Sequence, residues 1–282
     1  MKQFDGKQIV LKIMDGINPA DVYCTTYQMR NFYRQFADGF FSSLDVMNYI
    51  QHHFCVLLAK AGDRVLDVCC GRGLLLPMFR WYRRDIDEYI GVDISETNIS
   101  EQARRSGVKD IGNIGLDYYP FKITHILKPV EAMAADIPGQ VDLIIYTSAI
   151  EHMQKDAAIK SLQQCHALLK EDGIFVLSTP NTRSENPYDT QYAAHLYEWS
   201  KEEIQEEIER AGFEVKKVFG LVGKVRDFET FLLTQPAEEQ TRYRKLKEYL
   251  PSAWLMSFSP ILFPDAAAEV LFVLKKKQRH LF

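Results

Sequence analysis

A turn with two glycines, followed at a fixed distance by an acidic residue, is the pattern with the clearest chemical meaning in this sequence. Gly71 and Gly73 follow the apolar run Arg64–Cys69 and precede a helical pattern. Glycine lets the chain turn tightly and lets a ligand approach the backbone, because no Cβ stands in the way. Asp93 ends the next apolar run, 20 residues beyond Gly73. A carboxylate there can accept hydrogen bonds from both hydroxyls of a ribose, so the pattern predicts a nucleoside site.

The turn lacks one feature of sites that bind dinucleotides. In the G-x-G-x-x-G fingerprint, a third glycine would stand at position 76, which is Leu76 here. This difference disfavours binding of a pyrophosphate, and with it NAD or FAD. The less favoured alternative is that the glycines mark an ordinary turn with no ligand.

Two histidines and a glutamate provide candidates for proton transfer. Glu151 and His152 follow the apolar run Val141–Tyr146 and its exit at Thr147 and Ser148, and His195 lies in the loop after the next apolar run, Ile174–Thr179. Histidine titrates near neutral pH and can act as a general base, so these three are the candidate catalytic residues. The alternatives are that Glu151 and His152 cap a helix and orient a loop, and that His195 is a packing residue.

Short apolar runs alternate with helical patterns along most of the chain. Parallel strands need crossovers of a dozen or more residues, so this alternation predicts a Rossmann-like, doubly wound α/β sheet with helices on both faces. Ligands of such sheets bind beyond the carboxyl ends of the strands. The predicted strands are Arg64–Cys69, Tyr89–Asp93, Ile123–Leu127, Val141–Tyr146, Ile174–Thr179, Phe213–Val218 and Glu269–Leu274.

Three features predict where helices lie and which faces they bury. Gly173 is expected to end a helix over Asp156–Lys170, and Ser200 stands three residues before Glu203, the spacing of a capping box. Residues 227–257 have a mainly helical pattern. Before the first strand, one apolar helix face is predicted from the spacing of Met47, Ile50, Phe54 and Leu57.

Over residues 44–219 the sequence resembles the class I S-adenosylmethionine-dependent methyltransferases. The resemblance is carried by the segments 65–73, 91–95, 150–152 and 178–181, which read VLDVCCGRG, GVDIS, IEH and STPN. The last two are similar to a branch that includes ubiquinone-pathway and natural-product methyltransferases. The resemblance implies a sheet of seven strands whose last strand is antiparallel.

The resemblance also implies a cofactor, S-adenosylmethionine, and roles for individual residues. Asp67 would orient the turn and the amino group of the cofactor, and Gly71 and Gly73 would line its methionine moiety. Asp93 would hold the ribose, and Ile94 would touch the adenine. Further cofactor-binding residues are expected at Cys69, Arg72, Met133 (against the adenine) and Ser148.

A second, partial resemblance raises the question of a metal ion. The small-RNA 3′-end 2′-O-methyltransferases have an E-x-x-E-H motif and a later histidine before an aromatic-Glu-Trp run. This chain matches them at Glu151, His152 and His195, but Ser148 replaces the first acid. A divalent cation that needs several oxygen ligands would be bound poorly by only three protein ligands, so we assign no metal ligand.

Composition narrows the classes of partner. The 282 residues carry a net charge of −4, which argues against a general nucleic-acid or anionic-membrane binder. The sequence shows neither a signal-peptide segment nor an apolar run long enough to span a membrane. Five cysteines without a paired C-x-x-C pattern indicate reduced thiols in a cytoplasmic protein: Cys24, Cys55, Cys69, Cys70 and Cys165.

We therefore expect an enzyme that methylates an oxygen or nitrogen of a small or medium organic molecule, as a monomer or homodimer. Residues 1–43 would form a cap, 44–219 the cofactor-binding core, 220–265 a substrate-cap insertion, and 266–282 the last strand and tail. The aromatic residues of the insertion could instead pack its helices or form a dimer contact. The alternative functions are a methyltransferase for RNA or another macromolecule, and an inactive cofactor-binding scaffold or sensor.

Overall fold

Seven strands form one sheet, and the last strand in the chain is antiparallel to both of its neighbours. This confirms the predicted architecture. The structure is a computed structural model that describes residues 43–106, 119–182, 184–188, 190, 192–250 and 252–278. The strands are β1 (Arg64–Val68), β2 (Glu88–Asp93), β3 (Lys122–Leu127), β4 (Val141–Thr147), β5 (Leu169–Pro180), β6 (Phe213–Val222) and β7 (Glu269–Lys276). Their order in the sheet is β3-β2-β1-β4-β5-β7-β6.

The central strands are apolar because helices cover both faces of the sheet. All six residues of β2 are buried, and four of the five residues of β1. Such continuous burial is expected of parallel strands between two layers of helices. Two hydrophobic clusters, one on each face, form the core.

Eight α-helices are assigned in the described part of the chain, and the first corrects one prediction. In α1 (Ser43–Leu58) the buried side chains include Met47 and Cys55, whereas Leu57, expected on the same face, is 54% exposed. The buried face follows a spacing of four residues, and it includes the polar Gln51. The helices are α1 (Ser43–Leu58), α2 (Leu75–Tyr82), α3 (Glu96–Ser106), α4 (Lys155–Leu168), α5 (Lys201–Arg210), α6 (Val225–Leu232), α7 (Ala237–Tyr249) and α8 (Ser252–Leu262).

The boundary between α4 and β5 corrects a second prediction. The helix ends at Leu168 and the strand begins at Leu169, so Gly173 lies inside the strand and does not end the helix. Leu169 pairs with Val141 of β4, and the register shifts beyond that pair. A Cβ at position 173 would come within 2.6 Å of Leu169 Cδ1, so packing explains the glycine.

Helices α6–α8 lie between β6 and β7 in sequence, where the insertion was predicted. Helix α8 packs against β6 and against α1. The cap predicted for residues 1–43 lies outside the described residues up to position 42, as do residues 279–282 of the tail. None of the helices in the described segments has the length and apolar character needed to cross a membrane.

Candidate active site

The site lies where the strand order reverses. Strand β1 pairs with β2 on one side and with β4 on the other. The chain therefore builds the sheet outwards from β1 in one direction with β2 and β3, and in the opposite direction from β4 onwards. Crossovers on opposite faces leave a crevice at the carboxyl ends of these two strands, and ligands of open α/β sheets bind there. The glycine turn follows β1, and Ser148 follows β4.

The two glycines of the turn have different structural roles. Both have positive φ, 53° at Gly71 and 76° at Gly73, and Cys69 before them has a φ of 57°. A Cβ at Gly71 would meet no atom within 4 Å, so the backbone here is open to a ligand. A Cβ at Gly73 would lie 2.6 Å from Nε2 of Gln102, so this glycine makes room for a side chain of α3.

Asp93 ties the turn to the end of β2. Its Oδ2 accepts a hydrogen bond from the backbone N–H of Gly71 (2.9 Å). Its Oδ1 accepts from the N–H of Ser95 (2.8 Å) and from Nδ2 of Asn98 (3.3 Å). A carboxylate has about four lone-pair positions, so this arrangement leaves one for a ribose hydroxyl. The predicted contact with two ribose hydroxyls requires that the hydrogen bond from Asn98 Nδ2 to Asp93 Oδ1 is broken.

Asp67 supports the turn from beneath. It is buried and accepts a hydrogen bond from the hydroxyl of Tyr89, to which Gln102 Nε2 also donates at 3.3 Å. Burial raises the pKa of Asp67 to about 7. The geometry agrees with a role in orienting the turn, and the contact with the amino group of a cofactor stays a prediction.

The other residues expected at the cofactor differ in how accessible they are. Ile94 is 73% exposed beside Asp93, as an adenine contact requires. Arg72 is exposed and pairs with Glu101 at 3.1 Å. Met133 is fully buried in the core, which argues against the predicted adenine contact, since its side chain has no surface to offer.

Glu151 fixes the loop that carries His195. Its carbonyl oxygen accepts hydrogen bonds from the N–H groups of Leu196 (2.8 Å) and Tyr197 (3.2 Å). Its carboxyl group is buried and accepts from the hydroxyl of Thr179 at 3.1 Å. Burial, and secondly the charge of Glu269, raises the pKa of Glu151 to about 8.

The two histidines lie together, with their rings 4.9 Å apart. Nδ1 of His152 faces the carbonyl oxygen of Ala194 (3.0 Å), and Nδ1 of His195 faces a carboxylate oxygen of Glu198 (2.6 Å). Both partners can only accept, so both Nδ1 atoms carry hydrogen. In the neutral rings, each Nε2 then has a free lone pair for a proton or a cation.

One atom each from Glu151, His152 and His195 lies within 4.8 Å of the others, so these side chains could share a metal ion. The hydrogen bonds at both Nδ1 atoms resemble the outer contacts that orient metal-binding histidines. Ser148 does not join this group, since its hydroxyl donates to Glu269 at 2.5 Å. A cation would thus have three protein ligands.

Sequence reasoning missed Gln51, Ser178 and Glu269, which meet Ser148 behind the crevice. For Glu269 a signal existed. It is the first residue of the predicted last strand. Because that strand is antiparallel, it begins beside the carboxyl ends of the parallel strands, where the ligand binds. Ser178 opens the segment 178–181, which carries part of the resemblance, whereas the sequence contains no comparable signal for Gln51.

Comparison with known proteins gives a consistent result. Residues 48–218 match a family described as a methyltransferase domain. A "Ubiquinone biosynthesis O-methyltransferase" of Psychrobacter arcticus is 35% identical over 133 residues, 46% of each chain. Another from Acinetobacter baylyi is 28% identical over 189 residues, 62% of this chain and 72% of its own length. The matches to the first such relatives thus span just under half of their length.

Solved structures support the fold at low sequence identity. The small RNA methyltransferase HEN1 matches with a TM-score of 0.55 and 18% identity, over 84% of this chain and 25% of that one. At this identity, the likeness shows the fold alone.

Proposed function

The chain belongs to the methyltransferase domain family, within the class I S-adenosylmethionine-dependent methyltransferases, and from this premise we propose that it methylates a small or medium organic molecule. The acceptor atom is an oxygen or nitrogen, and oxygen agrees with the relatives named "Ubiquinone biosynthesis O-methyltransferase". The main observation in support is that two groups follow neighbouring strands: the open glycine turn after β1, and Glu151 and His152, which lie beside His195, after β4. A nucleoside and an acceptor can therefore meet at the end of β1 and β4.

The residues of the turn suit S-adenosylmethionine. When bound, the cofactor supplies a methyl group on a positively charged sulfur, which is already activated for displacement. Gly71 leaves its backbone open for the methionine part, and Asp93 offers a lone pair to the ribose. Exposed Ile94 offers an apolar surface to the adenine.

The residues of the acceptor side orient a nucleophile. Methyl transfer is an in-line displacement, so the enzyme must hold the acceptor close to the methyl carbon and exclude water. The Nε2 lone pairs of His152 and His195 accept hydrogen bonds from an acceptor hydroxyl or ammonium group. Glu151 holds the loop that places His195.

In the same proposal, residues 220–265 cap the acceptor side. Helix α8 packs on α1, the helix that carries Gln51 to the site. Phe228 and Tyr243 are buried in a cluster within the insertion, so they hold its helices together. Phe258, stacked on Trp254 and 42% exposed, is better placed to contact an acceptor.

A second candidate function is metal-assisted methylation of RNA, favoured by the grouping of Glu151, His152 and His195. It also agrees with the name of one structural neighbour, a small RNA methyltransferase. The net charge of −4 argues against it. The basic run of α7 does not provide a positive surface for RNA either, because Arg242 pairs with Glu238 and Glu239 of its own helix.

One experiment tests both candidates. Purified protein is given S-adenosylmethionine with a labelled methyl group and either catechol, a simple aliphatic amine or a short RNA, with and without EDTA. We expect label on a small molecule and none on RNA. Label on RNA that EDTA abolishes and Mn²⁺ restores would replace the first proposal by the second. No affinity for S-adenosylhomocysteine in calorimetry would refute both.

A further inference from the structure

A buried polar cluster lies directly behind the crevice, and we call it the Ser148 cluster: Gln51, Ser148, Ser178 and Glu269. Ser148 Oγ donates to Glu269 Oε1 at 2.5 Å and accepts from Gln51 Nε2 at 3.2 Å. Ser178 Oγ donates to Gln51 Oε1 at 2.8 Å. The four side chains come from α1, the end of β4, β5 and the first residue of β7.

Ser148 connects this cluster to the crevice. It is partly exposed, whereas the other three members are buried. Its φ of 45° is unusual for a residue other than glycine. Its backbone N–H holds this conformation by donating to Ser178, at 3.1 Å to the carbonyl oxygen and 3.0 Å to Oγ. Unfavourable backbone conformations that neighbouring groups hold in place are concentrated at functional sites.

We propose that Ser148 and Glu269 form a proton relay, in which Ser148 Oγ takes the proton of the acceptor hydroxyl while passing its own to Glu269 Oε1. The acceptor O–H bond breaks, and the oxygen uses that electron pair to bond the methyl carbon. The electron pair of the sulfur–carbon bond stays on sulfur, which loses its positive charge. Glu269 ends protonated, and Ser148 is again a neutral hydroxyl.

The environment of Glu269 suits a proton acceptor at neutral pH. Burial raises its pKa to about 7, while the hydrogen bond from Ser148 acts in the opposite direction. The charge of Glu269 in turn helps to raise the pKa of Glu151, whose carboxyl group is also buried. A base is most effective when its pKa lies near the working pH.

The relay rests on the proposed function and divides the labour within it. Ser148 contacts the acceptor, and Glu269 acts through Ser148 as a positioning residue and final proton holder. His152 and His195 lie further along the chain from the end of β4 and bind a second polar group of the acceptor, such as the other hydroxyl of catechol. Gln51 Nε2 fixes the Ser148 hydroxyl, so that its proton points at the carboxylate.

Two variants test the relay with catechol as acceptor. Glu269→Gln keeps an oxygen that accepts from Ser148 but cannot take a proton, and Ser148→Ala removes the link. We expect each to lower kcat about 100-fold with little change in KM, and the double variant to be no worse than either single one. The fall of kcat below about pH 7 in the wild type should disappear in Glu269→Gln.

Matched controls are available elsewhere in the sheet. Glu88→Gln changes a buried glutamate at the opposite end of β2, and Ser161→Ala changes a buried serine on α4. Both should keep wild-type kcat. Wild-type activity on catechol combined with full activity in both test variants would overturn the relay alone. A wild type that methylates no acceptor at all would overturn the proposed function.

A second measurement does not depend on activity. Carbon-13 NMR of protein labelled at its glutamate carboxyl groups, without cofactor, should show a carboxyl that titrates near pH 7. The signal should be missing from Glu269→Gln. In Ser148→Ala its midpoint should move to higher pH, because the lost hydrogen bond favoured the charged form. If Glu269 shows no titration near neutral pH, the relay is wrong.

Discussion

The two halves of the site are encoded in the sequence in different ways. The cofactor half, around the ends of β1 and β2, uses residues between Asp67 and Gln102, so one continuous segment supplies it. The acceptor half brings together side chains that are far apart in the sequence, since Gln51 lies 97 residues before Ser148 and 127 residues before Ser178. A short motif therefore specifies the first half, and the topology of the whole sheet specifies the second.

The halves also stabilise their carboxyl groups differently. Asp93 accepts two backbone N–H groups at the start of a turn and a helix. Glu269 has hydroxyl partners in a buried region, and burial raises its pKa to about 7. Backbone donors are fixed by the fold, whereas hydroxyl groups can rotate and pass on a proton. The difference suits a carboxylate held in a fixed position for ligand binding in the cofactor half, and a carboxyl group that exchanges a proton in the acceptor half.

The largest effect is expected from Asp93→Ala, which tests whether one residue of the motif controls the cofactor half. The change removes a charged acceptor for the ribose and releases the N–H of Gly71. Affinity for S-adenosylhomocysteine, measured by calorimetry, should fall about 100-fold, equivalent to about 3 kcal/mol.

Asp142→Ala is the matched control for this experiment. Asp142 accepts from the N–H of Arg64 at 2.9 Å and from Lys170 Nζ at 2.6 Å, at the other end of the strands. Its loss should leave the affinity unchanged. Equal losses in both variants would show that Asp93 acts through general stability and not through the ligand.

A smaller effect is expected at the two glycines, which look equivalent in the motif but differ in the structure. Gly71→Ala should cost about 1 kcal/mol of unfolding free energy, for a positive φ alone. Gly73→Ala also forces a Cβ against Gln102, and we expect about 3 kcal/mol in total. Urea unfolding of both variants measures the difference. Equal costs would mean that Gln102 moves aside freely, and that the motif needs no help from α3.

Local signals explain how much of the fold could be predicted. Each of the seven strands lies where an apolar run predicted it. The central strands β1, β2 and β4 are apolar along most of their length because both of their faces are buried. The errors arose where tertiary contacts decide. Gly173 resembles a helix end in sequence, but Leu169 packs over it inside a strand. The adenine contact of Met133 stays a prediction, and the burial of its side chain in the core argues against it.

The candidate site divides in the same way. Gly71 and Asp93 could be identified because a strand, a turn and a helix place such residues at a nearly constant spacing. The partner of Ser148 could not be identified by spacing, because Glu269 arrives from a strand 121 positions later. Whether Glu151, His152 and His195 lie together depends on a loop that Glu151 fixes with its own backbone.

The smallest effect tests whether local signals also hold in the acceptor half. Ser200 begins α5 as the capping spacing predicted, and its Oγ accepts from the N–H of Glu203 at 3.1 Å. The side chain of Glu203 pairs with Lys155 at 2.6 Å, so Ser200 caps the helix without a return hydrogen bond from the Glu203 side chain. Ser200→Ala should therefore cost about 1 kcal/mol in urea unfolding, and Ser200→Asp should restore most of it. A loss several times larger would mean that α5 supports the acceptor half through tertiary contacts, as the distant partners of Ser148 do.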